Sequence, residues 1–324
     1  MISRRGCALA AVAALVLVGS LWAFLGGWYG SGPLQKEAHF TVPNGASLVD
    51  VAARLEKQGV IGSASGFTFR ARVFGGGGGI KAGEFAIPAH ASASRVLAII
   101  SSDDIIRRMV TIPEGMPSIM VYDRVKAQTA LTGDLTTPAE GSVLPDTYTI
   151  EKGEPRQEVL RKMQAAMSRT LKELWAQRAP GLVVKTPEQA VILASIVEKE
   201  TGKPSERRMV AGLYSNRLRT GMLLQADPTI IYPITKGKRL GRRILQSEIQ
   251  AVNDYNTYTM VGLPKHPITN PSRESIAAVL NPAKTQALYM VADGTGGHAF
   301  ADTLADHNRN VAKWFAIRRA RGEL

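Results

Sequence analysis

Residues 6 to 35 carry no charged side chain, and Arg4 and Arg5 stand just before them. The apolar part, Cys7 to Leu25, is 19 residues long. At about 1.5 Å of helix rise per residue it comes close to the ~30 Å hydrocarbon core of a bilayer. A run of this kind sets the topology of all that follows it. The sequence predicts a cytoplasmic tip at 1–5 and a transmembrane anchor at 6–28, because basic residues beside a span stay on the cytoplasmic side. Trp22, Trp28 and Tyr29 stand at its outer end, where amphipathic rings favour the interface. A cleaved signal peptide is the alternative. Against it, the run is long and no clear small-x-small site follows a short apolar region.

This topology changes the meaning of the charge. The 324 residues hold 40 Lys+Arg and 27 Asp+Glu, a formal +13. Such an excess suggests nucleic acid, a membrane surface or an acidic polymer as partner. With Arg4 and Arg5 inside, 38 basic and 27 acidic residues remain outside. DNA and RNA then become poor partners, and an acidic polymer or a membrane surface remains. The single cysteine, Cys7, falls within the span. The external part therefore has no disulfide framework and no Cys₄ zinc site.

Length predicts about two domains of ~150 residues, and 45% hydrophobic residues excludes wholesale disorder. Gly26 to Gly32 reads as a short tether, assigned to 29–36. Three segments then share a pattern: Phe40-Thr41-Val42-Pro43-Asn44-Gly45-Ala46-Ser47, a looser Phe85-Ala86-Ile87-Pro88, and Val110-Thr111-Ile112-Pro113-Glu114-Gly115. Each reads as a β-branched strand, a Pro turn, a Ser cap (Ser47 in the first copy, Ser92 or Ser94 in the second) and a helix. The expected fold class is α+β. A small βα module over 37–103 precedes a connecting βα segment over 104–155 and a mixed α/β domain over 156–324. The first copy looks like the opening of a LysM-type glycan-binding module, and a generic βα packing unit fits the same pattern. Gly75 to Gly79 lacks the Lys-Ser/Thr helix start of a phosphate loop and reads as a turn.

One helix is marked clearly. Thr186 is a predicted N-cap, Pro187 sits at N1, and Gln189 at N3 completes a capping box. The predicted helix runs from Ala190 to Thr201, with Gly202 and Pro204 as stops. At ~100° per residue Glu200 shares a face with Leu193, Ile196 and Val197, whereas Glu198 points the other way. Glu200 is therefore the expected desolvated acid. Apolar surroundings and the negative helix end both keep its proton on, as general-acid chemistry on a glycosidic oxygen requires. An ion pair with Arg207 or Arg217 is the structural alternative.

Downstream, Gln225-Ala226-Asp227-Pro228-Thr229 opens a predicted short helix ending near Tyr232, and Tyr255-Asn256-Thr257-Tyr258 precedes Gly262-Leu263-Pro264. Aromatic rings beside amides and acids suit sugars, although Tyr255 and Tyr258 fit core or turn positions equally well. Residues 287–293 and 298–300 read as a hairpin closed by Gly294 to Gly297. The five histidines lack metal spacing, and no H-E-x-x-H or G-x-S-x-G is present. The basic stretch Lys236, Lys238, Arg239, Arg242, Arg243 is most simply a solvated loop. It would also suit anionic stem peptides or lipid head groups.

At Ala194-Ser195-Ile196-Val197-Glu198-Lys199-Glu200-Thr201 the chain resembles the endolytic murein transglycosylase (MltG, or YceG-like) family. The likeness also takes in Leu144-Pro145-Asp146-Thr147-Tyr148, Asn216-Arg217-Leu218, Leu224 to Thr229, Tyr255 to Tyr258, Asn281 to Thr285 and Gly296-Gly297-His298. The resemblance implies that the second Glu of the E-K-E-T motif, Glu200, is catalytic. It departs from the pattern at Lys265-His266 and at Ala226, which puts fine details of the cleft in doubt.

The expected protein is a single-pass lytic transglycosylase of the cytoplasmic membrane, with its catalytic part outside. It would cut the MurNAc–GlcNAc bond without water and leave 1,6-anhydro ends on nascent strands. Gln225, Asp227, Tyr255, Asn256 and Tyr258 are the expected sugar-holding residues. No metal or other cofactor is expected, peptidoglycan strands are the substrate, and the resemblance implies work beside peptidoglycan synthases. A lysozyme-like hydrolase using Glu200 with Asp227, or a non-catalytic glycan-binding scaffold, are the alternatives.

Overall fold

In the computed structural model the described residues are 4–75 and 78–323, with side chains described from residue 12 onward. Residues 1–3 of the expected cytoplasmic tip, Gly76 and Gly77 of the glycine run, and the Cys7 side chain lie outside them. The chain divides into two compact units, one ending at Arg108 and one beginning at Met109. Among the described residues, three small sheets of two strands each, with helices around them, make a mixed α/β structure.

The first unit holds α1 (Arg4–Tyr29), β1 (Ala38–Val42), α2 (Leu48–Lys57), α3 (Ala64–Phe74), β2 (Gly83–Ile87) and α4 (Ala93–Ile100). β1 and β2 pair antiparallel with Phe40 opposite Phe85. Both rings are sealed from solvent, as are Val51 and Leu55 of α2 and Val96 and Ile100 of α4. Short polar caps start the helices. Ser47 accepts from Asp50 N and closes a capping box, Ser63 accepts from Gly66 N, and Ser92 accepts from Arg95 N. Each cap satisfies one of the amide groups that a helix start leaves unpaired.

α1 contains a stretch, Val12–Tyr29, long and apolar enough to cross a membrane. Its end differs from expectation. Gly26 and Gly27 continue the helix instead of beginning a tether. Trp28 is only 2% exposed, with its ring centroid 6.0 Å from those of Phe67 and of Phe74. Apolar contact with α3 holds this turn, so Trp28 serves as a core residue and not as an interfacial ring. Trp22, at 79% exposure, has no such bed.

The second unit contains β3 (Arg108–Thr111, whose first residue belongs to the first unit), α5 (Ser118–Lys126), β4 (Thr147–Ile150), α6 (Arg156–Ala176), α7 (Pro187–Glu200) and α8 (Arg207–Thr220). It continues with α9 (Asp227–Thr235), α10 (Gln246–Ile249), α11 (Arg273–Leu280), β5 (Tyr289–Ala292), β6 (His298–Ala301) and α12 (Leu304–Ala320). β3 pairs with β4, and β5 pairs antiparallel with β6. α5 lacks the expected Ser cap: Pro117 precedes it, and the Ser118 amide is met by Glu140 Oε1 at 2.8 Å.

α7 runs through the middle, packed by α6, α8, α9 and α11. Thr186 caps it by accepting from Gln189 N at 3.2 Å. The Gln189 side chain accepts from Lys185 N, one residue before the cap, so the predicted capping box does not close. Ala190, Val191 and every residue from Leu193 to Val197 are buried. The helix thus has no solvated face along its centre. It ends at Glu200, where Thr201 turns extended.

Candidate functional site

That encirclement decides the fates of the two glutamates. Glu198 does point away from Glu200, but the opposite face is buried too. Its side chain is 5% exposed, and Oε2 accepts from Ser272 N at 2.8 Å and Ser272 Oγ at 2.5 Å. Arg207 Nη2 stands 3.8 Å from Glu198 Oε1 and binds Glu114 at 2.5 Å. Arg207 therefore serves Glu198 and Glu114. The alternative expectation of an ion pair on Glu200 is not met.

Glu200 Oε1 is sealed from solvent and has no hydrogen-bond partner among the described residues. Burial pushes its pKa up to about 7, the Tyr214 hydroxyl beside it pulls the other way, and the Asp227 charge adds to the rise. Arg217 also opposes the rise, from a distance. The Arg217 guanidinium is spent on backbone carbonyls: Nε donates to Leu288 at 2.6 Å, and Nη1 to Leu224 at 2.6 Å and Leu223 at 3.3 Å. Burial lowers its pKa. The Tyr214 phenol, wholly enclosed, is held protonated far above the usual range.

Glu200 opens on a pocket of about 230 Å³. α8 supplies Tyr214 and Arg217, the segment entering α9 supplies Gln225 and Asp227, and the β5–β6 hairpin supplies Met290, Ala292 and His298. Gln225 lies in the left-handed region at φ +53, an uncommon conformation for a residue with a side chain. It is fixed there because its N–H donates to Thr257 O at 3.1 Å and Ala226 N donates to Thr257 Oγ1 at 3.0 Å. Thr257 Oγ1 also meets Thr229 Oγ1 at 2.9 Å. This buried Thr staples the two sequence segments together.

Of the residues expected to hold sugars, Gln225 and Asp227 line the pocket with Glu200. Tyr258 joins them, donating to Asp227 Oδ1 at 2.5 Å. Asn256 does not. It is fully buried, its Nδ2 donates to the carbonyls of Ala251, Ile249 and Glu248, and its Oδ1 accepts from Tyr258 N. An amide in a tight loop finds backbone partners first. Tyr255 also turns elsewhere, packing its ring 4.9 Å from that of Tyr232. Ala226 is buried and does not face the pocket. α9 runs to Thr235, past the expected end near Tyr232.

Two polar residues of the pocket, Tyr214 and His298, were not expected from the sequence. Tyr214 lies three residues before Arg217, on the same side of α8. His298, at the hairpin's return, is oriented by Glu206, which accepts from its Nδ1 at 2.8 Å and its amide at 3.0 Å. Glu206 also accepts from Thr201 Oγ1 at 3.1 Å, tying the hairpin to the residue after Glu200. No group of three or more His, Cys, Asp or Glu able to hold a metal gathers among the described residues.

Fold and pocket together define an α+β protein with a half-sealed acid at the end of a buried helix. The model of the YceG-like family matches residues 40–313, and the chain belongs to that family. A Streptococcus pneumoniae serotype 2 protein named endolytic murein transglycosylase is 35% identical over 181 residues, covering 54% of this chain. The match spans 32% of that relative's length, about a third. A Bacillus subtilis protein of the same name is 25% identical over 322 residues, covering 88% of each chain. The crystal structure of a YceG-like protein from Listeria monocytogenes shares the fold, with a TM-score of 0.53 and 23% identity. It covers 85% of this chain and 98% of its own.

Proposed function

We propose that the chain is a membrane-anchored lytic transglycosylase acting on peptidoglycan glycan strands outside the cytoplasmic membrane. The observation that carries this reading is Glu200, whose carboxyl is pushed up to about 7 by burial and opens on a polar pocket. Relatives named endolytic murein transglycosylases support it.

Glu200 begins protonated and donates to the oxygen linking N-acetylmuramic acid to N-acetylglucosamine. Positive charge gathers at muramic C1 as that bond breaks, and the carboxylate just formed faces it. The same carboxylate then takes the proton of the sugar's C6 hydroxyl, whose oxygen closes on C1. The product is a 1,6-anhydro end, and no water is consumed. Gln225, Asp227 and Tyr258 hold the sugars, and Asn256 acts only by fixing the loop that carries Tyr258.

α1 supports a single-pass anchor with its N-terminus in the cytoplasm. The β1–α2–α3–β2 order supports a LysM-like glycan-binding unit. A chain so placed would work beside the synthases that extend nascent strands, and would terminate those strands.

One observation favours a second reading: Asp227 opens on the same pocket. A pair of carboxylates can run lysozyme-like hydrolysis when the second serves as nucleophile or activates water. Digestion of uncrosslinked glycan by the full chain in detergent, with products weighed by mass spectrometry, decides. Anhydro ends are expected. Reducing ends, heavier by one water, would establish the hydrolase, and intact glycan would leave a binding scaffold.

A further inference from the structure

A larger pocket, about 530 Å³, is lined by residues next in sequence to those of the acid's own. Lys199 and Pro228 line it, while their chain neighbours Glu200 and Asp227 line the first. Consecutive Cα atoms are ~3.8 Å apart, so the end of α7 and the start of α9 each contribute adjacent residues to the two pockets. Such a volume suits a specific ligand site.

The larger pocket has an apolar floor and a basic rim. Met116, Met120, Ile231 and Leu240 supply the floor, and Lys199, Lys238 and Arg239 supply the charge. The acid in its lining, Glu114, is already paired with Arg207. Lys238 meets Asp123 only at 3.6 Å, with both side chains about half exposed, and such pairs contribute little. Arg239 forms no ion pair among the described residues.

Residues Gly237 to Leu240 of the basic loop line this wall, while its five basic side chains stay exposed. Lys236 and Gly237 both take left-handed backbone, at φ +56 and +82. A Cβ on Gly237 would stand 2.7 Å from Pro117 Cβ, so only glycine permits the approach. Thr235 Oγ1 donates to Lys238 O at 2.7 Å and fixes the return of the chain.

We infer that this pocket receives the acidic stem peptide carried by the muramic sugar beside the scissile bond. The inference rests on the glycosidic reading of Glu200. A stem peptide offers several carboxylates on short apolar residues, which matches a basic rim over an apolar floor. It also hangs from the sugar next to the bond being cut, and the adjacent lining positions on α7 and α9 place the pocket near it.

The test measures binding of two soluble ligands to the full chain in detergent, carrying Glu200→Gln so that nothing is consumed. One is the GlcNAc–MurNAc disaccharide bearing a pentapeptide, the other the same disaccharide stripped of peptide. The stem-bearing ligand should bind at least tenfold more tightly, and Lys238→Glu with Arg239→Glu should abolish the difference. Met120→Trp, which fills the floor without touching charge, should reduce it as well. Equal affinities, or a preference that survives charge reversal and filling, overturn the inference. So does capture of anionic phospholipid vesicles through Lys238 and Arg239 while the two disaccharides bind alike. Cleavage by the wild-type chain is read separately. A stem preference with intact glycan would count against the glycosidase reading and leave the pocket's assignment standing.

Discussion

Glu198 and Glu200 stand two residues apart at the end of α7, both withdrawn from solvent, and Glu198 is far better supplied with donors. Ser272 meets Glu198 twice, whereas Glu200 Oε1 meets nothing. A buried carboxyl with one oxygen left without a donor is costly as an anion and tolerable as an acid. The contrast separates a structural glutamate from one poised to exchange a proton.

Stability should record this difference. Below pH 4.5 Glu200 is protonated in the folded and unfolded chain alike. Between 4.5 and about 7 the unfolded chain releases the proton and the folded one keeps it. Stability therefore falls as pH rises through that window, by about 3 kcal/mol in all. Glu200→Gln avoids the loss. It should melt higher than the wild type at pH 8, with the gap closing toward pH 4. A gap of the same size at both pH values would remove the basis for a raised pKa.

Turnover should decline for the same reason. The first step needs the protonated acid, so kcat on glycan should fall as pH passes upward through about 7. Glu200→Gln should cut turnover by ~10²–10⁴, measured as anhydro ends released. Wild-type turnover undiminished at pH 9 would count against Glu200 as general acid.

Glu198→Ala should act on the fold. It strips the Ser272 amide and hydroxyl of their acceptor and leaves Arg207 one acid short. About 3 kcal/mol of stability should go. In the cold, where the variant stays folded, turnover should remain within roughly threefold of wild type, as expected where a change only unpairs structural groups. Thermal melts and cold-room assays together check both halves.

Tyr258→Phe removes a single hydroxyl and its bond to Asp227. Asp227 is solvent-exposed, so the stability cost should be about 1 kcal/mol or less. The greater effect should be on KM for glycan: a rise of about tenfold is expected from one lost oriented contact of ~1.4 kcal/mol. An unchanged KM would dissociate Tyr258 from sugar binding.

Asn256→Ala should do the reverse. Its amide closes on three carbonyls inside the loop, and removal should cost about 2–3 kcal/mol. Melting should drop clearly. A variant that melts like the wild type but binds glycan poorly would restore Asn256 to the sugar cleft.

Much of this could be read from the sequence because local rules governed it. Thr186 and Pro187 start α7 through capping, and the 3.6-residue period placed Glu200 among Leu193, Ile196 and Val197. The glycine run at Gly294 to Gly297 marked the hairpin. What stayed hidden depended on neighbours distant along the chain. Periodicity could say that Glu198 faced away, but not that α11 and Arg207 waited on that side. Composition made Asn256 look like a sugar ligand, and only the folded loop supplies the carbonyls that claim it. Tyr214 and His298 join Glu200 through α8 and a hairpin almost a hundred residues downstream, beyond any local pattern.

Trp28 carries a practical consequence. Its indole lies between α3 side chains, so the membrane-length helix and the first unit are one packed body. A soluble version cut just after Tyr29 would leave Phe67 and Phe74 facing water in place of an aromatic neighbour. Wherever α1 is held, the first unit is held with it, like a lamp on a post and not a buoy on a chain.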